Sequence, residues 1–471
     1  MKILFHRLRC WRYAWAIVPV CIVGALSINT YLYYNLFYGY DMPQHFINAY
    51  VIRTTGSPPT PEYNPYDNYE AHQAPLYYIL AAWVFIVGDP IVGDSMQRLM
   101  PFVLFALSMG WLLIMTNIIE QVLRHVHPLF KALTLLVIML LPMHVMARGM
   151  FSNDLPVLIF GTLACMALWR LGRTGREKDL GAWLRAAALC GFTVAFKNNG
   201  VVLFGAYAAL MCVIMLHKAL WRRWNDVLTV GKYAALGIPL MLVPFLVNTY
   251  QTMRFLEDPF GAMGVRPVMP SEPPDHLRFL LNFDPTLFLS PIAYKSGRAG
   301  YWSLQYVTLH SDYYNHWNSD AYLSWDYKLL TAVPHRFPMP ITRYNDLQLL
   351  QYLAVPVTFI MVFGFVYACY RCVFRWRYAV RDGSVVVVIV TLVAHAAQMM
   401  RYLAYPYVDA VVIHARYIGF LWFFLFIAGI YGLHKVLRGN RGWRGVVAGA
   451  GAALLAAYCF VALRAMWLPP I

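Results

Sequence analysis

The sequence predicts an all-α protein that crosses a membrane many times. Of its 471 residues, 60% are hydrophobic and only 13% are charged, and its mean hydropathy is +0.52. An ordinary soluble domain has a larger charged share and a smaller apolar one, so much of the apolar surplus must face lipid. Runs such as "WAIVPVCIVGALSINTYLYY" and "FLWFFLFIAGIYGL" suit helices that cross about 30 Å of hydrocarbon.

The apolar runs predict about 11 transmembrane helices and two long segments between them. The predicted spans are 14–34, 98–119, 130–147, 155–171, 183–197, 199–217, 232–251, 349–370, 384–402, 411–433 and 445–464. Three regions follow: a transmembrane module over 1–251 that contains the loop 37–97, a loop region over 252–347, and C-terminal transmembrane helices over 348–471.

The basic residues indicate how the chain is oriented. The formal net charge is +16. The short connections on one side carry Arg7, Arg9, Arg12, Arg170, Arg173, Arg176, Lys178, Arg222, Arg223, Arg371, Arg375, Arg377, Arg381, Lys435, Arg438, Arg441 and Arg444. Cytoplasmic loops are enriched in Lys and Arg, so the N-terminus is predicted to be cytoplasmic and both long loops external. The basic excess is therefore a topology signal, and no nucleic-acid partner is expected.

The run "PLYYILAAWVFIVG", Pro75–Gly88, is predicted to lie on the membrane without crossing it. It has only 14 residues, whereas a span needs about 20. A crossing here would also invert the later helices and move their basic connections outside. The run therefore fits an interfacial helix, and residues 37–97 form one external loop.

Ionisable residues from several separate segments are predicted to meet at the external end of the spans. They are Asp41, His45, Glu70, His72, Arg148, Asp154, Lys197, Arg401, His414 and Arg416. Taken singly, a lysine there often snorkels to lipid headgroups, and Asp41 or Asp154 fits an N-cap of the helix that follows. Taken together, ionisable groups at this depth are costly and usually functional or paired.

The motifs that surround these residues resemble the GT-C glycosyltransferases. The likeness lies in "YGYDMPQHF", "YEAHQAPLYYILAAWVFIVGD" and "LPMHVMARGMFSNDLPVLIF", and it covers about residues 10–220, with an "ARY" element beyond. The protein O-mannosyltransferase and lipid A aminoarabinose-transferase branches are the most similar. They carry an acid early in the first external loop, an H-x-P-L-Y-Y-like stretch that opens an interfacial helix, and an R-x-x-x-x-D-like second loop.

The resemblance implies an inverting glycosyltransferase that moves a sugar from a polyprenyl-phosphate donor to an acceptor hydroxyl at the external face. Asp41 matches the acid of the first loop and would act as general base, with Asp154 as a second catalytic acid. Cations should meet the departing lipid phosphate, and the candidates are Lys197, Arg148, Arg401 and Arg416. The supporting candidates are His45, Glu70, His72 and His414.

No cofactor is predicted to be required, although a divalent metal stays open. Met42 follows Asp41 and Asn153 precedes Asp154, so the acidic pairs of an oligosaccharyltransferase-like metal site are missing. Glu70 and His72 are candidates for a structural zinc because an aligned glutamate holds zinc in the aminoarabinose transferases. Zinc sites use at least three protein ligands, and the third is not identified.

Two other functions compete with this one. An O-antigen ligase or polymerase would use Arg and His of a late external loop, for which "HSDYYNHW" and "PHRF" are candidates. A transporter or flippase of lipid-linked sugars would need charged groups along a path through the spans. The absence of Cys from the predicted external loops fits a bacterial inner-membrane enzyme with a periplasmic active site. The acceptor, whether a glycan, a lipid or a protein hydroxyl, is left open.

Overall fold

A computed structural model describes residues 12–33, 42–64, 68–173, 176–256, 275–288, 300–311, 341–404, 414–439 and 441–467. Within these ranges the chain is helical and forms no β-strand, which confirms the predicted all-α class. The helices are α1 Ile17–Tyr33, α2 Met42–Thr55, α3 Leu76–Val92, α4 Ser95–Arg98, α5 Met100–Val122, α6 Pro128–Leu140, α7 Pro142–Gly149, α8 Asp154–Leu171, α9 Leu180–Phe196, α10 Val202–Leu220, α11 Trp224–Leu256, α12 His276–Leu281, α13 Tyr301–His310, α14 Ile341–Phe374, α15 Trp376–Asp382, α16 Ser384–Ala404, α17 Gly419–Leu437 and α18 Arg441–Met466.

Each predicted span coincides with a helix, although the count of about 11 is not confirmed. Nine helices in the described ranges are long and apolar enough to cross a membrane. The pair α6 and α7, bent by 58°, makes a tenth if it is one span. The remaining predicted span, 183–197, coincides with α9, which has 17 residues.

Helix α9 nevertheless runs the full length of its neighbour α8. At one end Lys197, which follows α9, pairs with Asp154 at the start of α8. At the other end the Trp183 indole donates a hydrogen bond to the carbonyl of Glu177, just after α8. Seventeen helical residues measure about 26 Å, close to the hydrocarbon thickness. We infer that α9 crosses the membrane antiparallel to α8.

The two ends of the helical bundle differ in their contacts. At the first, which we name the site end, Tyr31 of α1 donates a hydrogen bond to the carbonyl of Arg148, and Lys197 meets Asp154. At the other, which we name the basic end, the ion pairs are Arg12–Glu120, Lys131–Glu120, Lys218–Glu177 and Arg371–Asp382. The helices therefore bring ionisable side chains together at both ends of the apolar core.

Helix α3 begins and ends at the site end. Before it, the carbonyl of His72 accepts a hydrogen bond from Thr252, in the last turns of α11. After it, the chain enters α5, whose residue Ser108 lies 2.9 Å from the hydroxyl of Tyr31 near the end of α1. A helix that crossed the bundle would have its two ends at opposite ends. The structure thus agrees with a helix that lies across the membrane face.

Part of the predicted loop 252–347 packs inside the bundle. All residues of α13 except Trp302 are buried. The His310 imidazole lies 3.0 Å from the hydroxyl of Thr358 in α14, and the Tyr301 hydroxyl lies 2.6 Å from the imidazole of His395 in α16. The predicted external loop region thus contains, in its described portion, a helix that packs between α14 and α16.

Glycines let the helices behind this insertion approach closely. A Cβ at Gly429 of α17 would overlap the carbonyl of Ile360 in α14, and one at Gly364 would overlap the carbonyl of Leu425. Small residues allow this backbone-to-backbone contact between membrane helices, where packing rather than hydrophobicity drives association. The contact fixes α17 against α14, and with it the segment that immediately precedes α17.

Candidate active site

Asp154 occupies the centre of the charged groups at the site end. It is the first residue of α8 and only 6% exposed. Its Oδ1 lies 2.7 Å from the Lys197 Nζ, and its Oδ2 lies 3.8 Å from the Arg416 Nη1. A buried carboxylate needs such partners because its desolvation is otherwise too costly. Two predicted phosphate ligands therefore meet one predicted catalytic acid.

Lys197 reaches this position because the chain leaves helical geometry after Phe196. Lys197 is extended, with φ −160° and ψ 136°, and a 3-10 turn over Asn198–Val201 follows it. Within that turn a Cβ at Gly200 would lie 2.6 Å from the backbone nitrogen of Val194. The tight "KNNG" turn is thus possible only with glycine at position 200. The turn places Lys197 beside the start of α8.

Three cations surround the ring of Tyr417. The Lys197 Nζ lies 6.0 Å from the ring centroid, and the guanidinium carbons of Arg401 and Arg416 lie 4.7 and 5.4 Å from it. We name Lys197, Arg401 and Arg416 the cation cluster. The face of an aromatic ring attracts cations within about 6 Å. The cation cluster therefore gathers three positive charges on one ring, next to the Asp154 carboxylate that Lys197 and Arg416 approach.

Hydrogen bonds fix the segment that carries Arg416. The His414 Nδ1 accepts a hydrogen bond from the Arg416 backbone N–H at 3.0 Å, and its carbonyl accepts one from the Gln398 side chain. The Ala415 N–H donates to the hydroxyl oxygen of Thr308 in α13 at 2.9 Å. His414, predicted as a supporting residue, therefore acts on the cation cluster through the backbone of its own turn.

A second set of contacts brings His45 to the neighbourhood of Asp154. The His45 Nδ1 lies 2.6 Å from the hydroxyl of Tyr78, and that hydroxyl donates a hydrogen bond to the Gln73 Oε1 at 3.1 Å. The same oxygen accepts a hydrogen bond from the Asn153 side chain at 2.5 Å. These contacts join α2, the start of α3 and the start of α8 into one polar network.

Tyr77, next to this network, keeps its phenol neutral. Burial, followed by the negative charge of Asp154, raises the pKa of Tyr77 well above its usual value. The Tyr77 ring packs on Phe151, with 5.3 Å between the centroids. Within the described part of the chain, neither the Tyr77 hydroxyl nor the Asn153 Oδ1 has a hydrogen-bond partner.

Arg148, also predicted to bind phosphate, lies apart from the cation cluster. It is 3% exposed, and its guanidinium donates to the carbonyls of Met139 and His144 and to the hydroxyl of Ser27. Pro142 has no N–H and breaks the helix between α6 and α7. Arg148 therefore satisfies carbonyl groups at this break, and its phosphate contact stays a prediction.

Three other predicted residues are placed only in part. Asp41 lies outside the described residues, one position before α2 begins. Glu70 is part of the 3-10 turn Tyr69–His72, but its side chain is not among those described, and the half-buried His72 contacts Thr252 through its carbonyl. No group of three or more His, Cys, Asp and Glu residues among the described side chains could hold a metal ion. The zinc site at Glu70 and His72 thus stays a prediction.

The sequence interpretation missed Tyr417, Gln73 and Tyr77 as site residues. Each belongs to a quoted motif: Tyr417 ends "ARY", and the other two lie in "HQAPLYY". Aromatic and amide side chains are common in membrane helices and loops, so their identity alone does not indicate a role. Their importance follows from the charged groups that they meet.

The fold and this site define a multi-span helical membrane protein with a half-buried cation cluster at one end. No protein-family model matches the chain, and no curated protein is similar to it in sequence. Among solved structures, the chain is similar to the crystal structure of ArnT from Cupriavidus metallidurans in the apo state, with 16% sequence identity. The likeness covers 92% of this chain and 79% of that chain, with a TM-score of 0.36. A TM-score of this size carries no functional inference.

Proposed function

We propose that this protein is a GT-C-type membrane glycosyltransferase that transfers a sugar from a polyprenyl phosphate to an acceptor hydroxyl, with inversion at the anomeric carbon. One observation carries the proposal: Lys197, Arg401 and Arg416 converge on the ring of Tyr417. Three half-buried cations on one ring fit an anionic ligand, because like charges repel one another where water is scarce. A lipid-linked phosphate supplies that anion from within the bilayer.

The cation cluster suits the departing phosphate better than the bound donor. The donor is a phosphodiester with one negative charge, and cleavage of its sugar bond leaves a phosphate monoester that carries about −1.5 to −2 at pH 7. Fixed cations that face this developing charge stabilise the transition state more than the ground state. Two arginines add bidentate hydrogen bonding to phosphate oxygens.

The proposed reaction uses Asp41 as the base for the acceptor hydroxyl and Lys197 as a cation for the departing phosphate. The acceptor hydroxyl oxygen forms a bond to the anomeric carbon while its proton passes to the Asp41 carboxylate. The bond from the anomeric carbon to the phosphate oxygen breaks, and its electron pair stays on the phosphate beside Lys197. Asp41 precedes α2, and the contact of His45 with Tyr78 ties that helix to the start of α3. The base assignment of Asp41 rests on the sequence resemblance.

The orientation of the protein is part of the proposal. Lys and Arg are concentrated at the basic end, so that end is cytoplasmic and the site end faces the periplasm of a bacterial inner membrane. Helix α3 exposes Leu80, Trp83 and Ile91, while Tyr78 and Phe85 are buried. This exposed apolar side is suited to the outer leaflet.

The test uses the full chain in nanodiscs with decaprenyl-phosphate-linked sugars and follows release of decaprenyl phosphate. Asp41→Asn should abolish release while binding of decaprenyl phosphate stays within about twofold, because only the proton acceptor is lost. Lys197→Ala should weaken binding of decaprenyl phosphate about tenfold, the effect of losing one charged contact. Adding EDTA tests whether a divalent metal is required. The predicted metal-independent enzyme keeps its turnover in EDTA, whereas an enzyme that needs a divalent metal loses it.

A matched control comes from the basic end, where Lys178 pairs with Asp226 at 2.7 Å. Lys178→Ala should leave both release and binding unchanged. Near-normal turnover of Asp41→Asn would contradict the base assignment. Binding without turnover across donors and acceptors would contradict a transferase and favour a transporter.

A further inference from the structure

Two buried polar atoms beside Asp154 lack partners among the residues that the structure describes. Asn153 is fully buried, and its Nδ2 donates to the Gln73 Oε1 at 2.5 Å, which leaves the Oδ1 as an acceptor only. Tyr77 is 6% exposed. Neither the Asn153 Oδ1 nor the Tyr77 hydroxyl has a partner within the described ranges. Buried polar groups are rarely left this way unless a ligand or water completes them.

Both atoms lie next to the cation cluster. Asn153 precedes Asp154 in the chain, and the Tyr77 ring packs on Phe151, three residues before Asp154, with 5.3 Å between the centroids. Asp154 in turn holds Lys197 at 2.7 Å and Arg416 at 3.8 Å. A ligand phosphate at the cations would therefore place its neighbouring group toward Tyr77 and Asn153.

We propose that Tyr77 and Asn153 form the subsite that binds the transferred sugar, and that this sugar has free ring hydroxyls and no carboxylate. The inference rests on the proposed function and adds the chemical class of the sugar. The Asn153 Oδ1 requires a donor from the ligand, and the Tyr77 hydroxyl donates or accepts. A carboxylate on the sugar would face the Oδ1 acceptor without a proton to donate.

The test measures what the sugar adds to lipid-phosphate binding. The probes are decaprenyl phosphate alone and decaprenyl phosphate linked to neutral hexoses or to a hexuronic acid, bound to the full chain in nanodiscs. Tyr77→Phe should weaken binding of at least one hexose-linked lipid about fivefold to tenfold, the effect of one hydrogen bond. It should leave binding of the bare lipid phosphate unchanged.

The variants separate a sugar contact from a structural role. Tyr77→Phe keeps the ring that packs on Phe151, so the fold is retained. Asn153→Ala is a second variant with the same expected loss. Tyr50→Phe is the control, because Tyr50 is 44% exposed and stacks on Phe46.

Two results would overturn the subsite while the proposed function stands: unchanged binding of every hexose-linked lipid in both Tyr77→Phe and Asn153→Ala, or tighter binding of the acidic sugar than of every neutral hexose. Failure of decaprenyl phosphate and of every linked sugar to bind would overturn the proposed function, and the subsite with it.

Discussion

At the scale of single residues, Tyr417 explains how three like charges lie close together. Lys197, Arg401 and Arg416 repel one another, and their repulsion is strong where water is excluded. The aromatic face offsets part of it, since each cation–π contact contributes about 0.5–2 kcal/mol. If Tyr417 acts only through the attraction of its aromatic face for cations, its hydroxyl is dispensable.

Substitution of Tyr417 tests this role. Tyr417→Phe should bind decaprenyl phosphate within about twofold of the wild type because the ring face is kept. Tyr417→Leu removes the face, so the cations should separate and binding should weaken about tenfold, as measured by titration in nanodiscs.

The basic end offers a control for Tyr417, since the Lys435 Nζ lies 5.3 Å from the ring centroid of Tyr431 there. Tyr431→Leu removes a similar cation–π contact and should leave binding unchanged. Equal binding by Tyr417→Leu and the wild type would show that the ring does not organise the cations.

At the scale of elements, the short helix α13 determines where Arg416 lies. The Thr308 hydroxyl donates to the Leu304 carbonyl within α13 and accepts from the Ala415 N–H at 2.9 Å. The Gln398 side chain of α16 holds the carbonyl of His414 at the same turn. A segment from the long loop thus supports a turn that lies more than a hundred residues later in the chain.

Thr308 is therefore expected to act as a positioning residue. Thr308→Val leaves the Ala415 N–H without an acceptor, which should loosen the turn and weaken decaprenyl phosphate binding about threefold to tenfold. Thr308→Ser keeps the hydroxyl and should restore binding to the wild-type value. The measurement is the same titration in nanodiscs.

The matched control for Thr308 is Thr391→Val in α16, a buried threonine whose hydroxyl bonds the Val387 carbonyl of its own helix at 2.7 Å. It should not change binding. If Thr308→Val and Thr308→Ser bound decaprenyl phosphate equally, the contact with Ala415 would not position Arg416.

At the scale of the whole molecule, the two ends hold their charges differently. At the basic end the Glu120 carboxylate accepts from Arg12, Trp15 and Lys131 at 2.8, 3.0 and 2.8 Å. At the site end the cation cluster gathers around Tyr417. Because α3 returns to the end from which it starts, residues before and after it share one face of the membrane.

Cysteine labelling tests this arrangement. Ser57, Asp94 and His125 are exposed, the first two on either side of α3 and the third between α5 and α6. A membrane-impermeant maleimide added to intact cells should label Ser57→Cys and Asp94→Cys, because the proposed orientation places both at the external face. It should label His125→Cys only after the membrane is opened.

The unsubstituted protein gives the background from the native cysteines. Labelling of Ser57→Cys with protection of Asp94→Cys would mean that α3 crosses the membrane. Labelling of His125→Cys in intact cells, with both others protected, would reverse the orientation.

The sequence by itself determined the helical membrane class, the positions of the spans and most of the charged site. Hydropathy and charge are properties of short stretches, and crossing a lipid layer forces apolar stretches into helices. Asp154, Lys197, Arg401 and Arg416 were identifiable because charges at helix ends stand out in such a chain. Arg148 shows the limit of this kind of prediction. A charge at a helix end also stands out when the residue, like Arg148, only binds carbonyl groups at a helix break.

Only the tertiary structure decided which of these groups meet. Lys197 contacts Asp154 across 43 residues, the Ala415 N–H bonds Thr308 across 107, and the His144 imidazole lies 3.3 Å from the Gly419 carbonyl across 275. Such partners are selected by how helices pack, which depends on side-chain fit over the whole bundle and leaves no local pattern in the chain. The insertion of α13, the three cations around Tyr417 and the unpartnered Tyr77 hydroxyl all follow from that packing.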